Sequence, residues 1–213
     1  MLTVDGLRVT IKGFSILRGV SLEIPTGELI ALIGRNGAGK TTTLKSIMGL
    51  MPVAAGTVCL DGMDLRRVPG HRRAALGIGY MPEDRRLIGS LTVQDNILMP
   101  AWASRLEHGT ARLAYIYEKM PEVAVLARRR ASALSGGQQK MVALARAVMS
   151  GTRLLLLDEP FEGLSPALGE KLAGTLQELQ RDDLAVLLAE SDVKRLSFAE
   201  KIYTIERGEI VHP

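Results

Sequence analysis

The chain has 213 residues, 46% of them hydrophobic and 23% charged, with a net charge of +4 at neutral pH. These values describe one globular domain with ample core and exclude a disordered, collagenous or long coiled-coil polypeptide. No stretch reaches the ~18 apolar residues that span a bilayer, no secretory leader is visible, and a single cysteine, Cys59, rules out an internal disulfide. A cytosolic protein able to dock on a membrane protein is expected. The mild basicity suits a nucleotide or a membrane-surface partner. The short run Arg128-Arg129-Arg130 reads as a solvated helix end and not as a nucleic-acid patch.

Residues 2–9 and 20–24 have strand-like apolar spacing, broken at Lys12-Gly13, and Pro25-Thr26-Gly27 precedes a buried strand over residues 29–33. Next comes Gly34-Arg35-Asn36-Gly37-Ala38-Gly39-Lys40-Thr41, a G-x-x-x-x-G-K-T loop, and then a helix over residues 42–50. Strand, glycine loop and helix form the context of a phosphate-binding loop. Glycines let successive N–H groups turn inward into an anion cradle. The helix adds unsatisfied N–H groups and the positive end of its dipole. Gly34, Asn36, Gly37, Ala38, Gly39, Lys40, Thr41 and Thr42 are the expected nucleotide contacts. Among them Lys40 supplies charge to the β- and γ-phosphates, and Thr41 offers a hydroxyl to Mg²⁺.

Residues 57–60 read as a strand holding Cys59 buried, residues 71–76 as a short basic surface helix, and residues 77–81 as another strand, followed by Pro82-Glu83-Asp84-Arg85-Arg86. Thr92 is expected to cap a helix that Pro100 ends. Leu113, Ile116, Tyr117 and Met120 repeat at i, i+3, i+4 and i+7, and Pro121 starts a further turn. This predicts a helical subdomain over about residues 87–133, inserted into a core of residues 1–86 and 134–213. Leu134-Ser135-Gly136-Gly137-Gln138 opens a helix through Met149, a second candidate phosphate site. Two such sites far apart on one chain suggest that two chains share each nucleotide.

Arg153 and four leucines, residues 154–157, form an apolar strand ending in Asp158-Glu159-Pro160. A carboxylate at the end of a buried strand is costly without a cation, so Asp158 is the expected Mg²⁺ ligand. Glu159 beside it can orient or deprotonate water. A helix over residues 167–180, a strand over 184–189, a helix through Phe198 and strands over 201–205 and 209–211 complete the chain. Alternating strands and helices predict an open, mostly parallel α/β sheet with its sites at the strands' carboxyl ends.

The phosphate loop, L-S-G-G-Q and L-L-L-L-D-E-P, in this order, resemble the ATPase subunit of an ATP-binding cassette transporter. That family implies a P-loop NTPase fold with N-terminal antiparallel strands and the inserted helical subdomain, ATP with Mg²⁺, and a head-to-tail dimer. Ser135, Gly136, Gly137 and Gln138 of one subunit would then face the ATP on the other's phosphate loop. Tyr117-Glu118-Lys119-Met120-Pro121, Glu162-Gly163-Leu164-Ser165-Pro166, and the stretch from Gly79 to Arg86 with Leu91-Thr92-Val93 are similar to the smaller ATPase subunit of branched-chain amino-acid importers. The resemblance implies a second ATPase subunit, membrane permeases, a solute-binding protein outside, and a peripheral place on the cytoplasmic side of the membrane. Urea and short-amide importers use closely similar subunits.

Four positions depart from the wider pattern. Ser165 replaces the aspartate expected in the loop after Asp158-Glu159, as the importer subgroup tends to have. Ile11 stands where an aromatic ring usually stacks on adenine, and nearby Phe14 reads as core. Glu83 replaces a glutamine that lends an oxygen to Mg²⁺, with Arg85 and Arg86 available to offset its charge. Ser191 replaces the histidine that contacts the γ-phosphate, and Asp192 beside it reads as a cap. Ser191 and Ile11 together predict slower turnover at this chain's half-site than at its partner's. A regulatory subunit that binds ATP but barely hydrolyses it is the alternative. DNA-repair ATPases, with their long coiled coils, and two-cassette translation factors fit the chain less well.

Overall fold

The computed structural model describes residues 1–105 and 108–212; the side chains of Arg181, Arg195 and His212 lie outside that description. Leu106 and Glu107, within the expected helical subdomain, also fall outside it.

Two sheets share the core. An antiparallel sheet has the order β2-β1-β4-β5, built from β1 (Leu2–Ile11), β2 (Phe14–Ile24), β4 (Ala55–Leu60) and β5 (Met63–Asp64). The second sheet has the order β10-β9-β3-β8-β7-β6. Its members are β3 (Leu29–Ile33), β6 (Ile78–Met81), β7 (Leu154–Asp158), β8 (Ala185–Glu190), β9 (Lys201–Glu206) and β10 (Glu209–His212). All its pairings are parallel except β9 with β10.

The apolar runs of β3, β7 and β8 follow from burial on both faces. Leu155 and Leu157 point into one core with the helices, while Leu154 and Leu156 point into the other with β1, β2 and β4. Each fully buried leucine contributes about 2 kcal/mol of transfer free energy, so a strand with no polar face is stable only between two apolar layers.

Helix α1 (Lys40–Ile47) follows the glycine loop, and α2 (Gly70–Arg73) with the 3-10 turn Ala74–Leu76 precedes β6. Between β6 and α6 (Gly136–Ser150) come α3 (Val93–Ser104), α4 (Gly109–Lys119) and α5 (Pro121–Ala124). α7 (Pro166–Arg181) joins β7 to β8. No helix among the described residues is long and apolar enough to cross a membrane.

Five expectations need correction. Pro100 does not end its helix but sits inside α3, which runs on to Ser104. The buried face of Val93, Ile97 and Ala101 outweighs the penalty of about 3 kcal/mol for an interior proline. The helix expected through Phe198 is only the 3-10 turn Val193–Arg195, capped by Asp192, which accepts from the Lys194 N–H at 3.0 Å. Phe14 is 74% exposed at the β1–β2 hairpin and is not core. Cys59 is half-buried on β4. Arg128, Arg129 and Arg130 are exposed, in the turn after α5 and not at a helix end.

Candidate active site

Register brings the motifs together. β8 lies between β3 and β7, pairing Ile33 with Glu190 and Ala189 with Asp158. The carboxyl ends of all three strands therefore meet at one edge, where α/β sheets bind ligands. Gly34 N–H donates to the Glu190 carbonyl at 3.2 Å, and Glu159 N–H donates to the Ala189 carbonyl at 2.9 Å.

The glycine loop then turns into α1. Gly39 has φ +118°, a conformation side chains rarely adopt, and it places Lys40 at the first helical position. Lys40 is 4% exposed. Its Nζ donates to the Gly34 carbonyl at 2.7 Å and to Ser191 Oγ at 3.0 Å, and it lies 3.1 Å from Glu159 Oε1. Ser191 Oγ lies 2.7 Å from the same Oε1 and 3.0 Å from Asn36 Oδ1, its one proton serving one of the two. A cation, a carboxylate and a hydroxyl thus converge on one point beside the glycine loop.

Glu159 reaches this point from an uncommon backbone, with φ +48°. For a residue with a Cβ this costs about 1–2 kcal/mol and recurs at functional sites.

Asp158 is fully buried. Its Oδ1 accepts from the Thr41 hydroxyl at 2.9 Å, while its Oδ2 is buried without a partner. Burial pushes the carboxyl pKa up, the Thr41 hydrogen bond opposes this, and the Glu83 charge adds to it. An orphaned carboxylate oxygen beside a threonine hydroxyl and a second acid is a donor set that a divalent cation satisfies. The described residues contain no group of three His, Cys, Asp or Glu able to hold a metal unaided. These residues therefore fit Mg²⁺.

A cavity of about 440 Å³ is lined by Ile11, Ile16, Asn36, Gly37, Gly39, Lys40, Thr41, Thr42, Glu83 and Glu159. Ala38 is buried in the loop behind it. The walls at Ile11 and Ile16 are aliphatic. Arg85 and Arg86 do not offset Glu83 as expected: Arg85 donates to the Gly136 carbonyl at 3.1 Å, and Arg86 pairs with Asp84 at 2.9 Å.

Ser135, Gly136, Gly137 and Gln138 do not join this centre and line none of the three cavities that touch Asn36. Ser135 caps α6 in a reciprocal box with Gln138, which fixes the helix N-terminus. Ser135 and Gly136 are exposed, so the N-terminus of α6 faces outward.

A sequence model described as ABC transporter matches residues 17–162. The chain belongs to the ABC transporter family. It is an ATPase subunit of that family. It is 34% identical to the high-affinity branched-chain amino acid transport ATP-binding protein BraG of Pseudomonas aeruginosa, over 99% of this chain and 91% of that protein. Identity is 35% to the probable branched-chain amino acid transport ATP-binding protein LivF of Archaeoglobus fulgidus, over 99% of this chain and 90% of that one. The lipopolysaccharide export system ATP-binding protein LptB of Escherichia coli K12 is 32% identical over 99% of this chain and 88% of its own length. Among solved structures, the dimeric ABC transporter cassette MJ0796 superposes with a TM-score of 0.89 at 26% identity, over 100% of this chain and 97% of that one. The same cassette has been solved as a dimer in a post-hydrolysis state with ADP and Pi.

Three residues of this ABC ATPase lie in or against the site without any motif to announce them. Ile16 follows a hairpin turn whose length only the fold reveals. Glu190 ends β8, and burial pushes its carboxyl up to about 7. Lys140 lies inside α6, where helical spacing alone marks it as one more polar residue.

Proposed function

We propose that Lys40, Asp158, Glu159 and Ser191 form the hydrolytic centre of this ATPase, and that it powers an importer of branched-chain or related amino acids. The observation that carries the first part is the convergence of Lys40 Nζ and Ser191 Oγ on Glu159 Oε1, at 3.1 and 2.7 Å.

In this reading the glycine loop cradles the phosphates through its N–H groups, and Lys40 neutralises the γ-phosphate. Thr41 and Asp158 would hold Mg²⁺, directly or through water, with Glu83 beside them, and the bound ion would supply charge stabilisation to the phosphate oxygens. Glu159 Oε1 orients the attacking water and takes its proton. Ser191 donates to a phosphate oxygen but brings no charge, which supports slower turnover at this half-site than at one carrying histidine. Ile11 and Ile16 cover the base by apolar contact, without the roughly 0.5–1.5 kcal/mol that ring stacking adds. Ser135, Gly136, Gly137 and Gln138 complete the nucleotide site of a partner ATPase, and residues 87–133 act as a helical subdomain.

The importer reading draws on the identity to the BraG and LivF proteins along nearly the whole chain. A groove of about 440 Å³ lined by Met48, Leu50, Tyr80, Pro82, Met99, Pro100 and Ala103, among others, offers a permease helix an apolar seat. In this reading the chain sits at the cytoplasmic membrane face, beneath permeases and with a solute-binding protein outside. The 32% identity to LptB favours a second reading, a lipid exporter.

Steady-state hydrolysis by the purified chain with Mg²⁺, alone and with its cognate second ATPase, tests the centre. Glu159→Gln is expected to lower kcat by about 100-fold or more while ATP still binds. Wild-type turnover by that variant removes Glu159 from the mechanism. Purification from the native membrane tests the cargo. A co-purifying solute-binding protein loaded with a branched-chain amino acid supports import, and permeases without one favour export.

A further inference from the structure

Lys140 belongs to no nucleotide motif, yet its ammonium is buried, 4% exposed, in the second turn of α6. A buried ammonium is costly unless its donors are used, and here they are used on backbone. Nζ donates to the Glu159 carbonyl at 2.6 Å and to the Glu162 carbonyl. The Glu162 carboxylate stays 3.9 Å away and is mostly exposed, so the ion pair is the lesser contact.

What Lys140 holds is the one strained link in the centre, the left-handed backbone at Glu159. The same segment is gripped from β8. Glu159 N–H donates to the Ala189 carbonyl at 2.9 Å, and Phe161 N–H donates to Glu190 Oε1 at 2.8 Å. From α6 the described contacts supply only the Lys140 grip on the Glu159 carbonyl. Relaxation of φ at Glu159 turns its carbonyl and its Cβ together about the N–Cα bond and would break that hydrogen bond. It would also swing Oε1 away from Lys40 and Ser191.

We propose that Lys140 is a positioning residue for hydrolysis: from α6 it fixes the backbone of Glu159 and thereby the direction of the Glu159 carboxylate. The proposal rests on the reading of Glu159 as the group that activates water. It also gives α6 two tasks. Its exposed N-terminus presents Ser135 and Gly136 to a partner's nucleotide, and its second turn anchors this chain's own base. A shift of α6 on the partner's ATP is thereby passed to Glu159 through one side chain.

The test compares wild type, Lys140→Met, Lys140→Arg and Glu159→Gln by kcat, KM, affinity for Mg²⁺ with a non-hydrolysable ATP analogue, and thermal unfolding. Lys140→Met keeps the length and apolar stem and removes the donors. It is expected to lower kcat by about tenfold or more, because small misplacements of a reacting group are costly. Analogue affinity should stay within about twofold, and the midpoint of unfolding should fall only slightly, since the Glu159 and Glu162 carbonyls lose a donor while a desolvated charge is removed. Lys140→Arg, which restores donors, should recover part of kcat. A kcat within about threefold of wild type overturns the proposal. So does a loss of kcat that Lys140→Arg shares in full, or one that runs in parallel with lost analogue affinity. If Lys140→Met does not fold, Lys140→Leu, which also lacks donors, is judged by the same criteria. Wild-type turnover by Glu159→Gln would instead show that the base is misassigned, and the proposal falls with it.

Discussion

Glu190 carries the clearest pH signature among the residues of the site. Its carboxyl is 6% exposed. Burial lifts its pKa from 4.5 to about 7, with the Phe161 N–H and Lys140 opposing the rise and the Glu159 charge adding to it. The folded chain therefore binds this proton more tightly than the unfolded chain does. The resulting stability is fully present below about pH 4.5 and is lost as pH rises through about 7, on the order of 3 kcal/mol in all. Glu190→Gln is neutral at every pH, and its side-chain carbonyl can still accept from Phe161. Urea unfolding of the nucleotide-free chain should show the variant more stable than wild type above about pH 7, with the difference vanishing toward pH 4.5. A difference that does not change with pH would mean that Glu190 stays ionised in the fold.

At the scale of elements, the placement of α6 on the six-stranded sheet decides the geometry of the site. α6 closes on β6 at Gly79, where an added Cβ would stand 2.1 Å from the Ala147 carbonyl oxygen. No flexible side chain can give way there, because the obstacle is helix backbone. Gly79→Ala is expected to destabilise the chain by about 2–3 kcal/mol, a fall of roughly 5–10 °C in Tm for a chain of this length, measured by calorimetry. A displaced α6 would also move Lys140 and Ser135, so turnover should fall further than the folded fraction. Unchanged Tm would show that helix and strand are free to slide. α3 teaches the complementary lesson. A proline reads as a stop when only local backbone is considered, but burial of one helix face carries α3 past it.

In the proposed reading the whole molecule is half of a working unit. One nucleotide cavity lies at the strand ends, while the capped N-terminus of α6, with Ser135 and Gly136 exposed, lies outside it. The dimeric cassette of the same fold is the arrangement that lets each face serve the other. With ATP, Glu159→Gln should shift the chain, or its pairing with a cognate ATPase, toward a dimer in sedimentation velocity. Adding Ser135→Arg, which fills the exposed face with a long side chain, should return it to monomer while ATP affinity of the free chain changes by less than about threefold. Dimers that persist in the double variant would place the contact elsewhere.

The sequence by itself determined the strand–loop–helix around Lys40, the capped α6 and the apolar β7 ending in Asp158, because each depends on neighbours within a few residues: glycine freedom, capping oxygens, hydrophobic period. It also determined the family, through the order of those motifs. Only the tertiary structure decided that β8 lies between β3 and β7, which joins Ser191 to Lys40 across 151 residues of chain. It alone exposed Phe14, sent Arg85 to Gly136 instead of to Glu83, and turned Lys140 from a polar helix residue into the anchor of Glu159. Those outcomes depend on sheet register and side-chain reach between segments far apart in sequence, and no local spacing encodes them.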